Sequence, residues 1–198
     1  MHHMSSKAEQ RERTHGAILA SAARLLRHRG IGGMSVADVM GGAGLTVGGF
    51  YAHFASKEAL VERSIGTALA QLRAILFRGL AGQPAREIAV RILKRYLSRD
   101  HRDAIDDGCA LPAMISEVAT GREAAMRPVI GRELEAMIAS FVEVLPGDPV
   151  RARALALGAT ALMVGGLVLA RATEGALSDE IITAARAFGA AAIQEVLS

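Results

Sequence analysis

The sequence predicts an all-α fold, and three observations carry that prediction. Apolar residues recur at intervals of three and four along almost the whole chain of 198 residues, which is the period of an amphipathic helix. No stretch shows the alternation and bounding turn residues of a strand. Hydrophobic residues make up 51% of the chain and aromatic residues 4%, so the core depends on aliphatic side chains that suit packed helices. At this length we expect one compact body with a small appendage sharing its core.

Three short helical pieces are predicted in the first 55 residues. The first ends at the glycine-rich stretch 30–33 and presents an apolar face formed by Ile18, Leu19, Ala22, Leu25 and Leu26. Ser35 is predicted to cap a second helix that runs through Met40, because its hydroxyl can accept a free N–H group. After a glycine-rich break, Thr46 is predicted to cap a third helix that runs to about His53. None of the three is long enough to be stable alone.

Further apolar stripes predict six more helices, within residues 56–76, 88–97, 111–118, 128–145, 149–173 and 178–197. Ser56 and Asp148 are the expected caps of two of them, and the charged stretch 99–107 is expected to be a loop or frayed turn. Residues 154–170 carry no charge and approach the lower length limit of a membrane span. Their alanine and glycine content instead favours a helix buried by the core or by a partner subunit, so no membrane association is expected.

The positive charge is concentrated near the start of the chain. Residues 1–60 contain seven Lys and Arg against four Asp and Glu, whereas the remainder contains sixteen of each. A segment that contacts phosphates needs such an excess of positive charge, so residues 1–60 are the part of the chain expected to contact them. The single cysteine, Cys109, excludes an internal disulfide, and the chain opens without a signal-peptide pattern, so we expect a cytoplasmic protein. With no paired-histidine signature, neither a metal nor a cofactor is expected.

Residues 35–54 fit a helix-turn-helix, the motif whose second helix enters the major groove of DNA. Gly44 suits the turn because a left-handed backbone there is costly for other residues. The apolar contacts between the two helices are assigned to Val36, Val39, Leu45, Phe50 and Phe54. The residues of the motif and its flanks that are not needed for these contacts are expected to face outward. They predict a DNA-binding surface consisting of Ser35, Thr46, Val47, Gly48, Gly49, Tyr51, His53 and Lys57.

Within that surface, two roles are expected. Ser35, Thr46, Tyr51, His53 and Lys57 are suited to donating hydrogen bonds to phosphate oxygens, which position a protein without reading sequence. The two glycines, 48 and 49, let the backbone approach DNA closely, and few base-reading groups are left beside them. A dinucleotide-binding interpretation of the glycines from 42 to 48 fails because no strand precedes them.

The run TVGGFYAHFASKEAL at residues 46–60, after a Ser-initiated helix and Ala43-Gly44, resembles the signature of the TetR family of bacterial transcriptional regulators. The resemblance covers about residues 14–65. It implies a homodimer of nine or ten helices, usually a repressor, that binds a palindromic operator and is released by a small molecule. It also implies phosphate contacts at Thr46, Tyr51, His53 and Lys57 and base-facing positions at Val47, Gly48 and Gly49. Ala52 and Ala55 stand where many members carry bulkier residues.

The resemblance implies a division into a DNA-binding head, residues 1–57, and a ligand-binding and dimerisation body, residues 58–198. The sensing pocket is expected within residues 88–145, with candidate lining residues Tyr96, Cys109, Met114, Met137 and Phe141. For Tyr96, Met114, Met137 and Phe141 the favoured alternative is ordinary core, since methionine fills irregular gaps in helical proteins. Residues 106–112 resemble a subgroup that senses electrophiles or oxidants through a cysteine, so Cys109 is a candidate sensor, with an inert buried thiol as the alternative.

The last two helices are rich in Ala, Gly and Leu and are interpreted as a four-helix interface with a second copy of the chain, the alternative being an internal core. A two-fold operator needs a two-fold protein, with half-sites about 34 Å apart or a multiple of that. Two other classes of function are left as alternatives. One is a helical adaptor that has lost DNA binding. The other is a small enzyme, which is disfavoured because Asp100, His101 and Asp103 form no nucleophile-base arrangement.

Overall fold

A computed structural model describes residues 6–196, in which every regular element is helical. The nine α-helices of this part are α1 Lys7–Arg29, α2 Val36–Gly42, α3 Lys57–Phe77, α4 Ala85–Tyr96, α5 Arg99–Asp103, α6 Leu111–Ala119, α7 Arg127–Val144, α8 Pro149–Arg171 and α9 Gly175–Val196. Two short 3₁₀ elements, Val47–Ala52 and Ala124–Met126, complete it. The all-α prediction is confirmed. The first five and last two residues, including the end predicted for the last helix, lie outside the described part.

The predicted caps are confirmed at three helix starts. The Ser35 hydroxyl accepts the N–H of Asp38, the Ser56 hydroxyl accepts that of Ala59, and the Asp148 carboxylate accepts that of Val150. Each bond satisfies a donor that the first turn of a helix leaves free. These three helices therefore begin where the local sequence places them.

Three local predictions are wrong. Thr46 precedes the third helical piece, but its side chain makes no capping hydrogen bond there, and the piece is a 3₁₀ helix, Val47–Ala52. Its two glycines lower the preference for an α-helix, which favours the tighter form. The expected loop at 99–107 contains α5, because Ser98 accepts the N–H of His101 and caps it. The last helix, expected over residues 178–197, begins earlier than predicted, at Gly175.

Head and body share a continuous core through α3. Helix α3 packs against α1 of the head and against α7 of the body. Ile18 of α1, Phe50 of the 3₁₀ segment and Leu60 of α3 are at most 1% exposed. Helices α7, α8 and α9 pack in succession, and α4 closes the body against α9. The head is thus a small unit whose orientation depends on the body.

Helix α8, Pro149–Arg171, is the one helix of the described part that is long and apolar enough to cross a membrane by length and composition. It packs between α7 and α9 and buries the small face that includes Ala152, Ala156 and Ala170. A single helix of this kind is weak evidence for a membrane span, because core helices of other proteins have the same composition.

Candidate functional site

The 3₁₀ segment Val47–Ala52 presents one exposed surface at the end of the head. Thr46, Gly48 and Gly49 are exposed, the Val47 side chain is 50% exposed and that of Tyr51 is 77% exposed. A tyrosine so far from the core contributes little to folding. The structure therefore brings five of the eight predicted DNA-binding residues together on one outward face.

Buried aromatic rings fix that surface from below. Phe50 is 1% exposed and stacks on Phe54 with ring centroids 5.8 Å apart, while the ring of Tyr51 meets the Phe50 ring edge-on at 5.2 Å. From α1, the Arg11 guanidinium donates to the Ala52 carbonyl at 3.0 Å. The sequence analysis missed Arg11, since nothing local links it to residues 41 positions away.

The turn before the 3₁₀ segment is closed by backbone bonds. Gly44 adopts a left-handed conformation with φ 71°, and the N–H of Leu45 donates to the Met40 carbonyl at 2.9 Å. Glycine is the residue that adopts this conformation without a side-chain clash. The role predicted for Gly44 is therefore explained by its backbone angle.

His53 is less accessible than the other predicted contact residues. It is half-buried, and its Nδ1 atom is enclosed without a hydrogen-bond partner in the described part of the chain. Its ring lies 6.0 Å from that of His15, which stacks on Phe54 at 4.6 Å. Burial, followed by the positive charge of Arg63, lowers the pKa of His15. For an outside partner His53 thus offers Nε2 rather than Nδ1.

Ser35 and Lys57 flank the surface on the two neighbouring helices. The exposed Ser35 hydroxyl donates to the Asp38 carboxylate at 2.7 Å, so contact with a phosphate requires that bond to be exchanged. Lys57 is half-buried at the first position of α3. Together with Thr46 and Tyr51, these groups can donate hydrogen bonds to an extended anion.

The body contains a small closed cavity of about 20 Å³ between α3, α4, α6, α7 and α8. A volume of this size holds about one water molecule. Three of the five predicted ligand-binding residues, Tyr96, Cys109 and Met137, line it. Met114 and Phe141 are buried in the surrounding core, where the ring of Phe141 packs edge-on against Phe77 at 5.4 Å.

Two buried polar groups of the cavity lie side by side. Tyr96 is 2% exposed, and its hydroxyl has no nitrogen or oxygen partner among residues 6–196 but interacts with the Cys109 thiol. Burial raises the pKa of both groups. The hydrogen bond with Tyr96, the N–H of Leu111 and the charges of Arg171 and Arg27 lower the pKa of Cys109 but are weaker than burial. The thiol is therefore protonated at neutral pH.

The segment before Cys109 is held by side chains from two other helices. Arg27 of α1, 7% exposed, donates from Nε to the Gly108 carbonyl at 2.8 Å. Arg171 of α8 donates to the carbonyls of His101 at 2.9 Å and Arg102 at 3.0 Å. Sequence reasoning missed both arginines, although Arg27 follows the apolar residue Ala23 by four positions and so shares its buried face.

Exposed apolar side chains mark the outer face of the last two helices. Leu169 is 57% exposed, Leu177 55% and Phe188 71%. Among residues 6–196 no group of three or more His, Cys, Asp or Glu side chains is arranged to hold a metal ion.

Comparison with known sequences identifies the head. Residues 18–63 match the profile of the family described as bacterial regulatory proteins, tetR family. Over 103 residues, 49% of this chain, the sequence is 31% identical to YerO, an uncharacterized HTH-type transcriptional regulator of Bacillus subtilis (strain 168). That alignment covers 34% of YerO, so the chain spans about a third of the curated relative that it matches.

Solved structures agree along the whole fold. A TetR-family regulator from Rhodococcus sp. superposes with a TM-score of 0.77 at 24% identity, covering 94% of this chain and 100% of that chain. A TetR regulator from Chloroflexus aurantiacus J-10-FL gives 0.76 at 23% identity, covering 94% and 97%. The reduced form of E. coli NemR gives 0.73 at 22% identity, covering 93% and 97%. At these identities the likeness is one of fold.

The sequence match places a tetR-family segment at residues 18–63, and the solved structures share the all-helical fold around it. The resemblance of residues 46–60 to the TetR family signature is confirmed by this match. The proteins of that family and the curated relative are described as regulators.

Proposed function

We propose that this protein is a TetR-family repressor whose head binds a palindromic operator and whose body releases the DNA when a small molecule binds. The observation that carries the proposal is the exposed surface from Thr46 to Tyr51, mounted on the buried rings of Phe50 and Phe54. Such a surface costs folding energy without helping the core, and it has the size and polarity of a groove-binding element.

Within the operator complex, Val47, Gly48 and Gly49 face the bases. The phosphate contacts are made by Ser35, Thr46, Tyr51, His53 and Lys57. A Cβ atom added to Gly48 would meet no atom of the protein within 4 Å, so the protein interior does not require glycine there. Close approach to DNA is the reason that we assign to this glycine.

The active form is a homodimer built on α8 and α9. Support comes from the apolar side chains that those helices leave exposed, led by Phe188 and Leu169. Apolar patches of this kind on an otherwise charged chain mark interaction surfaces. We retain residues 1–57 as the DNA-binding head, residues 58–198 as the ligand-binding and dimerisation body, and a cytoplasmic location as parts of this proposal.

The inducer site is assigned to the region of the closed cavity. Tyr96, Cys109 and Met137 line it directly, and Met114 and Phe141 form part of the core around it. At about 20 Å³ the cavity must widen before a molecule larger than water enters. The Tyr96 hydroxyl has only the weak thiol of Cys109 as a neighbour, which favours occupancy by a group that hydrogen bonds to it more strongly.

Electrophile or redox sensing by Cys109 is the finer candidate mechanism. The cations Arg27 and Arg171 and the N–H of Leu111 favour its thiolate, but burial opposes them and raises the pKa. Reaction therefore requires opening of the cavity first. Retention of the full electrophile response by Cys109→Ser, measured as loss of DNA binding, would remove this mechanism and leave ligand sensing intact.

The DNA-binding proposal is tested on the intergenic DNA upstream of the protein's own gene, and on sites selected from random DNA. Affinity is measured at several salt concentrations for the wild type, Tyr51→Ala, Lys57→Ala and the exposed α7 control Arg132→Ala. Loss of one phosphate contact is expected to reduce the salt slope by about 0.9 for Lys57→Ala. Unchanged affinity and slope in both head variants, or no specific site after selection, would contradict the proposal.

A further inference from the structure

An open groove of about 830 Å³ lies on the surface of the body, next to the small cavity. Its lining residues are Leu72, Ile75, Leu76, Arg78, Arg91, Lys94, Arg95, Ser98, Asp100, His101, Ala104 and Asp107. Two of them, Leu72 and Leu76, also line the cavity, so their side chains form the wall between the two spaces.

The groove is amphipathic because two helices contribute different faces to it. Leu72, Ile75 and Leu76 are spaced by three and four residues and form one apolar face of α3. Arg91 and Lys94 have the same spacing on α4 and form a cationic face opposite. An occupant must therefore offer apolar surface on one side and negative charge on the other.

The cations of the groove are only partly used by the protein. Arg95 donates to the Leu76 carbonyl at 2.6 Å and is held there. Arg91 has one carboxylate partner, Glu87 at 3.8 Å, and both side chains are more than half exposed, so the pair contributes little. In the described part of the chain, the side chains of Lys94 and Arg78 make no hydrogen bond or ion pair. Four cations face two lining carboxylates, which leaves an excess of positive charge.

This positive charge is remote from the DNA-binding surface. Ile75 lies 18 residues after Lys57 on the same helix, a separation of about 27 Å along its axis. Salt at physiological strength screens exposed charges beyond about 8 Å. Phosphates held by the head therefore do not explain the cations, and a different anion is required.

We propose that this groove binds an amphipathic organic monoanion, an aliphatic or aryl chain that ends in a carboxylate. The carboxylate pairs with Arg91 and Lys94, and the chain lies on Ile75, which is 39% exposed, against the wall formed by Leu72 and Leu76. Any effect of this anion on DNA binding would rest on the proposed function. Binding of the anion in the groove does not, because it is measured without DNA.

The test is titration calorimetry of the full chain with decanoate, decan-1-ol and decyltrimethylammonium at low and moderate salt. We expect one saturable decanoate site per chain that weakens as salt rises, and about tenfold weaker binding of the neutral and cationic probes. The variant Arg91→Ala/Lys94→Ala is expected to weaken decanoate binding about fivefold to tenfold. Ile75→Ser is expected to weaken it about threefold, and the control Arg132→Ala not at all.

Three results would overturn the proposal: equal binding of all three probes, unchanged decanoate affinity in the charge and Ile75 variants, or a lower native mass of the charge variant. The last would assign the groove to a second copy of the chain. Decanoate binding that depends on Arg91, Lys94 and Ile75 supports the groove site whether or not it affects the operator complex, because the inducer site of the proposed function is assigned to the cavity.

Discussion

His101 is held between two backbone partners that fix its protonation. Its Nδ1 lies 2.6 Å from the Tyr96 carbonyl and its Nε2 lies 3.0 Å from the N–H of Cys109. A carbonyl accepts and an amide donates, so the neutral ring carries its proton on Nδ1 and accepts at Nε2. Burial lowers the pKa of His101, and the nearby Arg171 charge acts in the same direction.

A lowered histidine pKa makes stability fall as the solution is acidified. Above pH 6.5, the ordinary value, both states are neutral at this residue and it adds no pH dependence. Below that value the unfolded chain binds the proton first, so stability falls until the pH reaches the folded pKa. We expect the melting temperature to fall between pH 7.5 and 5, and to fall less in His101→Gln, whose amide oxygen can accept the Cys109 N–H.

His15, whose pKa is also lowered, contributes to the wild-type slope. It is present in both proteins, so the comparison of wild type with His101→Gln isolates the ring beside Cys109. Identical pH slopes for the two proteins would show that His101 is not held neutral by the fold.

Gly48 offers a test of close approach to DNA that separates folding from binding. Because an added Cβ meets nothing within 4 Å, Gly48→Ala is expected to fold at least as stably, with a gain of up to about 1 kcal/mol from backbone entropy. Its affinity for operator DNA is expected to fall at least tenfold. Thermal unfolding and DNA titration of the same sample measure the two effects.

Gly42→Ala is the matched control for a glycine that the protein itself requires. Its Cβ would clash with the buried Ser21 hydroxyl on α1, so this variant is expected to lose stability. If Gly48→Ala binds operator DNA as tightly as the wild type does, Gly48 does not lie against the DNA.

At the scale of elements, the sequence predicted what depends on near neighbours. The caps at Ser35, Ser56 and Asp148 are bonds across two or three residues, so a local pattern is sufficient. The 3₁₀ form of the segment after Thr46 differs from the predicted α-helix, because an apolar spacing of three and four residues does not distinguish the two forms when two glycines weaken the α-helix.

The candidate sites divide in the same way. The outward surface from Thr46 to Tyr51 follows from spacing within one motif. Two sets of hydrogen bonds, from Arg27 to Gly108 and from Arg171 to the backbone of α5, join residues about 70 to 80 positions apart in the sequence. No local pattern predicts them. The pairing of Tyr96 with Cys109 likewise depends on how α4 and α6 meet.

The junction of α1 with α6 is one element contact that a single substitution can probe. The Glu117 carboxylate of α6 accepts the N–H of Ile31 at 2.7 Å and that of Gly32 at 3.2 Å, just after α1 ends. Glu117→Ala removes both acceptors, so we expect a loss of about 1–3 kcal/mol in the free energy of unfolding, measured with urea. The exposed α7 residue Glu143 serves as control, and equal effects of Glu117→Ala and Glu143→Ala would show that the junction is not stabilising.

At the scale of the whole molecule, the segment between α4 and α6 connects the head with the last two helices. Arg27 joins it to α1 through Gly108, and His28 joins it again through Asp106 at 2.7 Å. On its other side, Arg102 pairs with Asp179 of α9 at 2.8 Å. Because Cys109 lies in this segment, we expect a molecule that widens the cavity to disturb contacts to both the head and α9.

The dimer proposal makes the last prediction, at the face that α8 and α9 leave exposed. Leu177 and Phe188 are eleven residues apart, close to three helical turns, so they lie on one face of α9, and both are more than half exposed. A carboxylate within an apolar interface is strongly unfavourable, whereas on a solvated face it is harmless. Phe188→Glu is therefore expected to shift the native mass from about twice 20.7 kDa to the monomer value and to weaken operator binding.

Light scattering after size-exclusion chromatography measures the mass, with Phe188→Leu as the control that keeps the apolar surface. A wild-type protein that is already monomeric, or a Phe188→Glu variant that remains dimeric, would place the two-fold contact elsewhere or remove it.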